Sequence, residues 1–201
     1  MLLSGRTRPH ARAAQKLGAA LLATGRFEVM QSRLTASGSK YAARLARAAA
    51  WKADVIISLH SDVRGEAWPL AQPDGGTCWQ NPHAPGFAVL WSDEGPAFPR
   101  RERLGRAVGK RLREAGFVAY GGEDYGALYR QDGVEPSGWI DSRPLKQRVY
   151  FLRGSTIPTV IIETHHALDV QEVARWEAPA THAAFSAAIA AAVLDFARVA
   201  P

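Results

Sequence analysis

Two spacings of apolar residues alternate along the chain, and between them they predict most of its elements. Apolar positions recur every three or four residues from His10 to Thr24 (Ala13, Ala14, Leu17, Ala20, Leu21), the period of a helix with one buried face. Gly25 supplies its stop. The same period returns over Lys40–Trp51 (Tyr41, Leu45, Ala48, Ala49), Arg100–Ala115 (Leu104, Val108, Leu112) and from Pro179 or Ala180 to Val199 (Phe185, Ile189, Val193, Phe196). Asp169 is a good N-cap for a shorter helix through Trp176. Apolar runs of strand length lie between these segments, at Val55–Leu59, Gly86–Ser92 and Thr159–Ile162. Shorter strands are expected at Met1–Ser4, Phe27–Met30, Gly116–Gly122 and Arg148–Arg153. Apolar runs without alternation belong to a sheet covered on both faces. Strands alternating with helices predict an α/β fold of three layers. The expected sheet is twisted and mostly parallel, with five to six strands flanked by helices, in one domain over residues 1–201.

Two stretches break this rhythm. Residues 61–85 contain Pro69, Pro73, Gly75, Gly76, Pro82 and Pro85 and read as a long irregular loop. Trp68, Cys78, Trp79 and His83 within it argue for a loop lining a site rather than for disorder. Residues 123–144, with Tyr125, Tyr129 and Trp139, read equally as a groove wall or as a surface excursion.

Composition narrows the function classes. A chain of 201 residues with 47% hydrophobic content is ordinary for a globular domain. Its 25 Lys+Arg against 19 Asp+Glu give a formal net charge of +6, most of it from arginine. That balance suits an anionic partner or simply a solvated basic surface. No tract of consecutive basic residues with interleaved aromatics occurs, which argues against nucleic acid. The single cysteine, Cys78, excludes an intrachain disulfide and a multi-cysteine metal site. No stretch approaches the roughly 18 apolar residues of a membrane span. Met1–Arg6 lacks the apolar core of a signal peptide, so the expected compartment stays open.

The chemistry concentrates where two buried runs end. Val55–Leu59 stops on His60, within Ser58-Leu59-His60-Ser61-Asp62. Val160–Ile162 stops on Glu163-Thr164-His165-His166. In open α/β sheets, ligands bind beyond the carboxyl ends of the strands. His10, in the first turn of a helix, is expected at the same edge. Three readings follow: a metal held by His10, His60 and a third group; an acid–base site on Glu163; or polar residues satisfied in loops. A zinc with three protein ligands keeps a position for water and lowers its pKa to about 7. A carboxylate such as Glu163 then moves the proton. A serine hydrolase is disfavoured, because there is no Gly-x-Ser-x-Gly elbow. No glycine-rich phosphate loop stands between a strand and a helix.

These segments resemble a known family. Tyr41–Asp62, with Arg44, Ala53-Asp54 and Ser58-Leu59-His60-Ser61-Asp62, looks like the second helix and zinc-ligand strand of the zinc-dependent (type-3) N-acetylmuramoyl-L-alanine amidases. Leu152–Val193, with Leu152-Arg153, Pro158, Val160-Ile161-Ile162-Glu163-Thr164, Glu172 and the alanine-rich last helix, resembles that family's C-terminal part. With gaps, the resemblance covers most of residues 8–199. It implies hydrolysis of the amide between the lactyl group of N-acetylmuramic acid and L-alanine, with peptidoglycan or a muropeptide as substrate. It further implies Zn2+ as cofactor, His60 as a ligand, Glu163 as catalytic base, Arg153 at the carboxylates of the peptide stem, and a place in the cell envelope. The family's opening Asp-Pro-Gly-His-Gly-Gly and the glutamate after it have no counterpart here. His10 alone stands where two ligands are expected; the resemblance then implies His165, His83 or a group lost by truncation as third ligand. His165-His166 replace the family's Gly-Phe and are candidates for ligation or substrate contact. Two alternatives stay open: a cytoplasmic metal-dependent deacylase of a small acidic amide, and a non-catalytic peptidoglycan- or peptide-binding domain of the same fold.

Overall fold

The longest strand among the described residues lies inside the sheet. In a computed structural model, which describes residues 7–32, 40–95 and 97–198 (backbone alone for 7–9), β7 (Thr159–His166) runs between β1 (Ile56–Asp62) and β4 (Ala88–Ser92). β6 (Gly138–Asp141) and the two-residue β5 (Arg130–Gln131) complete the order β1-β7-β4-β6-β5. β1 pairs with β7 in parallel, and so does β4 with β6. The β4–β7 and β5–β6 pairings are antiparallel. The sheet is therefore mixed, not mostly parallel. β4 is reversed relative to β7, so its amino end lies beside the carboxyl end of β7.

Helices cover both faces, and each face has its own core. On one side α1 (Thr7–Ala23), α3 (Phe98–Glu114), α5 (Val170–Glu177) and α6 (Pro179–Arg198) pack on Val89, Trp91, Val160 and Ile162. On the other, α2 (Tyr41–Ala50) and α4 (Tyr150–Arg153) pack on Ile56, Leu90 and Ile161. The predicted faces are the buried ones: Leu104, Val108 and Leu112 of α3 are at most 1% exposed. Each such burial stabilises by about 1.5–3 kcal/mol. Asp169 caps α5, accepting from the Gln171 and Glu172 amides. By length and composition α6 is apolar enough to cross a membrane, which corrects the expectation of no such stretch. Its Phe185, Ile189, Ala192 and Phe196 are packed in the core.

Four other expectations change. Residues 61–85 are not an irregular loop: Trp68–Ala71 (β2) and Thr77–Gln80 (β3) form an antiparallel hairpin. Residues 123–144 supply β5 and β6. Phe27–Met30 is not a strand; just after it the Gln31 side chain donates to the Ala14 carbonyl at 3.0 Å. Arg148–Arg153 contains a helical turn, because a short apolar run does not by its period separate helix from strand. The expected strand at Met1–Ser4 lies outside the described residues.

Candidate active site

The parallel register of β1 and β7 brings the two sequence-flagged strand ends together. His60 is the direct partner of Glu163 across the pair, and the strands part from regular register just beyond, between His60 and Asp62. His60 Nδ1 lies 3.9 Å from Glu163 Oε1. His60 Nε2 lies 3.1 Å from the Ser58 hydroxyl on the same face of β1. His10 reaches this edge from α1: its ring centroid is 6.4 Å from that of His60, and its Nε2 is 2.9 Å from Ser61 Oγ. A groove of about 750 Å3 runs beside the outer edge of β1, between α1, α2 and residues 27–32, with His10 and His60 in its wall.

Glu163 is 9% exposed, and its Oε2 is buried with no hydrogen-bond partner. Burial first, then the neighbouring Asp62 charge, push its carboxyl from 4.5 up to about 8, with Arg64 opposing. His60 moves the other way: burial, then the fields of His10 and Arg44, hold it down at about 4, with Asp62 opposing. The site thus holds a neutral imidazole beside a carboxyl that exchanges its proton near neutral pH.

Three further residues frame this pair. Arg64 is 2% exposed; it donates to the Ala84 and Gly86 carbonyls at 3.1 and 2.8 Å and lies 3.5 Å from Asp62 Oδ2. Its guanidinium stacks 4.1 Å above the Tyr120 ring. The Tyr125 hydroxyl donates to Asp62 Oδ2. Burial raises the Tyr125 pKa far above its ordinary value, so it stays a donor. The sequence pattern does not mark Asp62, Arg64 or Tyr125 as site residues. Asp62 lies within Ser58-Leu59-His60-Ser61-Asp62 and Tyr125 within the aromatic stretch 123–144, but burial of an arginine in a proline-rich segment leaves no periodic signal.

The remaining sequence candidates spread out. His165 stacks on Trp176 with centroids 5.6 Å apart, its Nδ1 2.9 Å from Thr164 Oγ1; burial, then His10, lower it to about 4. His166 is fully buried, its Nδ1 near the Asp62 carbonyl at 3.3 Å and its Nε2 without a partner. His83 packs edge-on against Trp68 at 5.3 Å. Arg153 lies in α4 with its guanidinium over Tyr150 at 5.0 Å, and no hydrogen bond or ion pair joins it to His60 or Glu163. Among the described residues no three His, Cys, Asp or Glu side chains converge as a metal site. The undescribed positions carry none of these four residue types.

The sequence model of N-acetylmuramoyl-L-alanine amidase matches residues 10–195. The chain belongs to this amidase family. Solved amidases share its fold. The N-acetylmuramyl-L-alanine amidase Ami1 from Mycobacterium smegmatis aligns with a TM-score of 0.67 at 19% identity, over 92% of this chain and 73% of its own. The catalytic domain of the amidase CwlV from Bacillus (Paenibacillus) polymyxa var. colistinus gives 0.64 at 17% identity, over 94% and 83%. The amidase AmiC2 of Nostoc punctiforme gives 0.62 at 17%, over 93% and 81%. No curated protein matches the chain. The family match spans α1 through most of α6 and thus includes His10, His60 and Glu163.

Proposed function

We propose that the chain hydrolyses the amide joining the lactyl group of N-acetylmuramic acid to L-alanine in peptidoglycan, with Glu163 as its acid–base group. The observation that carries this reading is the pairing of His60 with Glu163 at one sheet edge of an N-acetylmuramoyl-L-alanine amidase. Glu163 takes a proton from the attacking water as its oxygen bonds to the carbonyl carbon. It returns that proton to the leaving nitrogen as the C–N bond breaks. A carboxyl at about 8 suits both halves of this exchange, and no hydrogen bond commits its Oε2 to another group. Neutral His60 beside it is a nitrogen donor, and Tyr125 and Arg64 hold Asp62 at the rim.

Zinc enters this reading as an ion that the imidazoles of His10 and His60 would hold. Catalytic zinc takes three protein ligands, and two imidazoles without a third convergent donor do not make that set. The residues present therefore do not fit a complete zinc site, and no step is assigned to the metal. The test is incubation with purified muropeptides, read as release of stem peptides with a new L-alanine amino terminus. Stem peptides that stay attached, with or without added zinc, would refute the reading.

A further inference from the structure

Asp62 draws on more buried donors than a surface carboxylate needs. Its side chain is 29% exposed, yet it is held from behind by groups out of contact with water. The buried Tyr125 hydroxyl donates to Oδ2, and Nε of the buried Arg64 approaches the same oxygen at 3.5 Å. The Val63 amide donates to Oδ1 at 2.9 Å. Both buried donors are themselves fixed. Arg64 is tied to the Ala84 and Gly86 carbonyls and stacked on Tyr120. Tyr125 is wedged edge-on among Tyr120, Tyr129 and Trp139, with ring centroids 5.0, 5.0 and 5.1 Å away. Burying a guanidinium is costly unless it is paired, and the carboxylate it pairs with is Asp62. The carboxylate therefore has one position and little freedom to turn.

That position lies on the Glu163 side of the sheet. Tyr125 belongs to the same core as Ile161, and Glu163 follows Ile161 by two residues on one face of β7. The charge of Asp62 is felt at Glu163. A carboxylate offers about four acceptor positions. Tyr125 and Arg64 engage Oδ2, and Val63 takes one position on Oδ1, which leaves Oδ1 with room for one more donor. An amide undergoing hydrolysis brings such a donor, its own N–H. The leaving nitrogen must turn its lone pair toward Glu163 to receive the proton. A fixed acceptor that holds the N–H beside Glu163 sets this orientation before the bond breaks. We propose that Asp62 accepts the N–H of the scissile amide at Oδ1, and that this contact makes the site select amides over esters. The assignment rests on the amidase reading.

The test gives the full chain two substrates: a muropeptide, and its analogue with L-lactate in place of L-alanine, an ester with oxygen where the amide has N–H. Asp62→Ala lowers kcat/KM for the amide about ten- to hundredfold more than for the ester, the scale of one hydrogen bond to a carboxylate. A disturbed fold or a displaced Glu163 lowers both alike, so the ratio isolates the contact. Asp62→Ala leaves Arg64 buried without its partner, and thermal melting of each variant checks the fold. If Asp62→Ala unfolds, Tyr125→Phe carries the test: it keeps the ring, frees the carboxylate to turn, and lowers the amide-to-ester ratio about two- to tenfold. Equal losses on the two substrates in the folded variant overturn the proposal. With a wild type active on the muropeptide, that result leaves the amidase reading standing. A wild type that cleaves no muropeptide removes the amidase reading and this contact with it.

Discussion

At His60 and Glu163 two opposite pKa shifts favour the same outcome, a buried site without net charge. Glu163→Gln should lower muropeptide turnover by about 10²–10⁴-fold, the range of a lost acid–base group, while the fold remains. Residual turnover within a few-fold of wild type would remove Glu163 from the mechanism. The shifts also fix the sign of a stability profile. Glu163 has a folded pKa raised from 4.5 to about 8, so its contribution is full below 4.5 and is lost as pH rises through 8. His60 has a folded pKa lowered from 6.5 to about 4, so its contribution is full above 6.5 and is lost as pH falls through 4. In urea melts of the chelator-treated chain, Glu163→Gln should therefore gain on wild type between pH 4.5 and 8 and level off above. A gap independent of pH would contradict the burial argument.

At the scale of elements, the packing of α3 on β4 depends on a missing side chain. A Cβ on Gly105 would collide with the Trp91 indole, and Trp91 is fully buried. Gly105→Ala should destabilise the fold by about 1–3 kcal/mol, an overpacking cost, seen as a lower urea midpoint. An unchanged midpoint would mean that the indole has room to move. Asp169→Ala, which removes the α5 cap, should cost about 0.5–2 kcal/mol in the same assay. These elements were legible in the sequence because their signals are local: Leu104, Val108 and Leu112 carry the helical period, and Asp169 stands at a capping position. β1 and β7 were legible because their apolar runs end on polar chemistry. Long-range pairing was not. Nothing local in Ala88–Ser92 says that it runs antiparallel to β7, and Thr77-Cys78-Trp79-Gln80 reads as loop until Trp68–Ala71 pairs with it. The same limit hid Tyr125, which joins the site through Asp62 across the fold.

For the whole molecule, the donor set decides how zinc behaves. With two imidazoles and no third convergent ligand, zinc should bind weakly: gel filtration of the zinc-loaded chain should leave it substoichiometric in metal. The melting temperature should then rise only when free zinc exceeds its Kd. Stoichiometric zinc that survives filtration and is lost in His60→Ala would demand a third ligand.

The place of β7 beside the edge strand β1 also sets an order in time. Among the described residues β1 has β7 as its one sheet neighbour, and β7 begins at Thr159. On the ribosome, β1 waits about 100 residues for its partner, on the order of 5–20 s at typical synthesis rates. Until then His60 and Glu163 cannot meet, so chemistry at this edge is deferred until the sheet closes. Nascent chains arrested before Thr159 should be cut readily by protease within β1, and chains arrested well beyond α6 should resist; early resistance would mean that the first half holds β1 by other means.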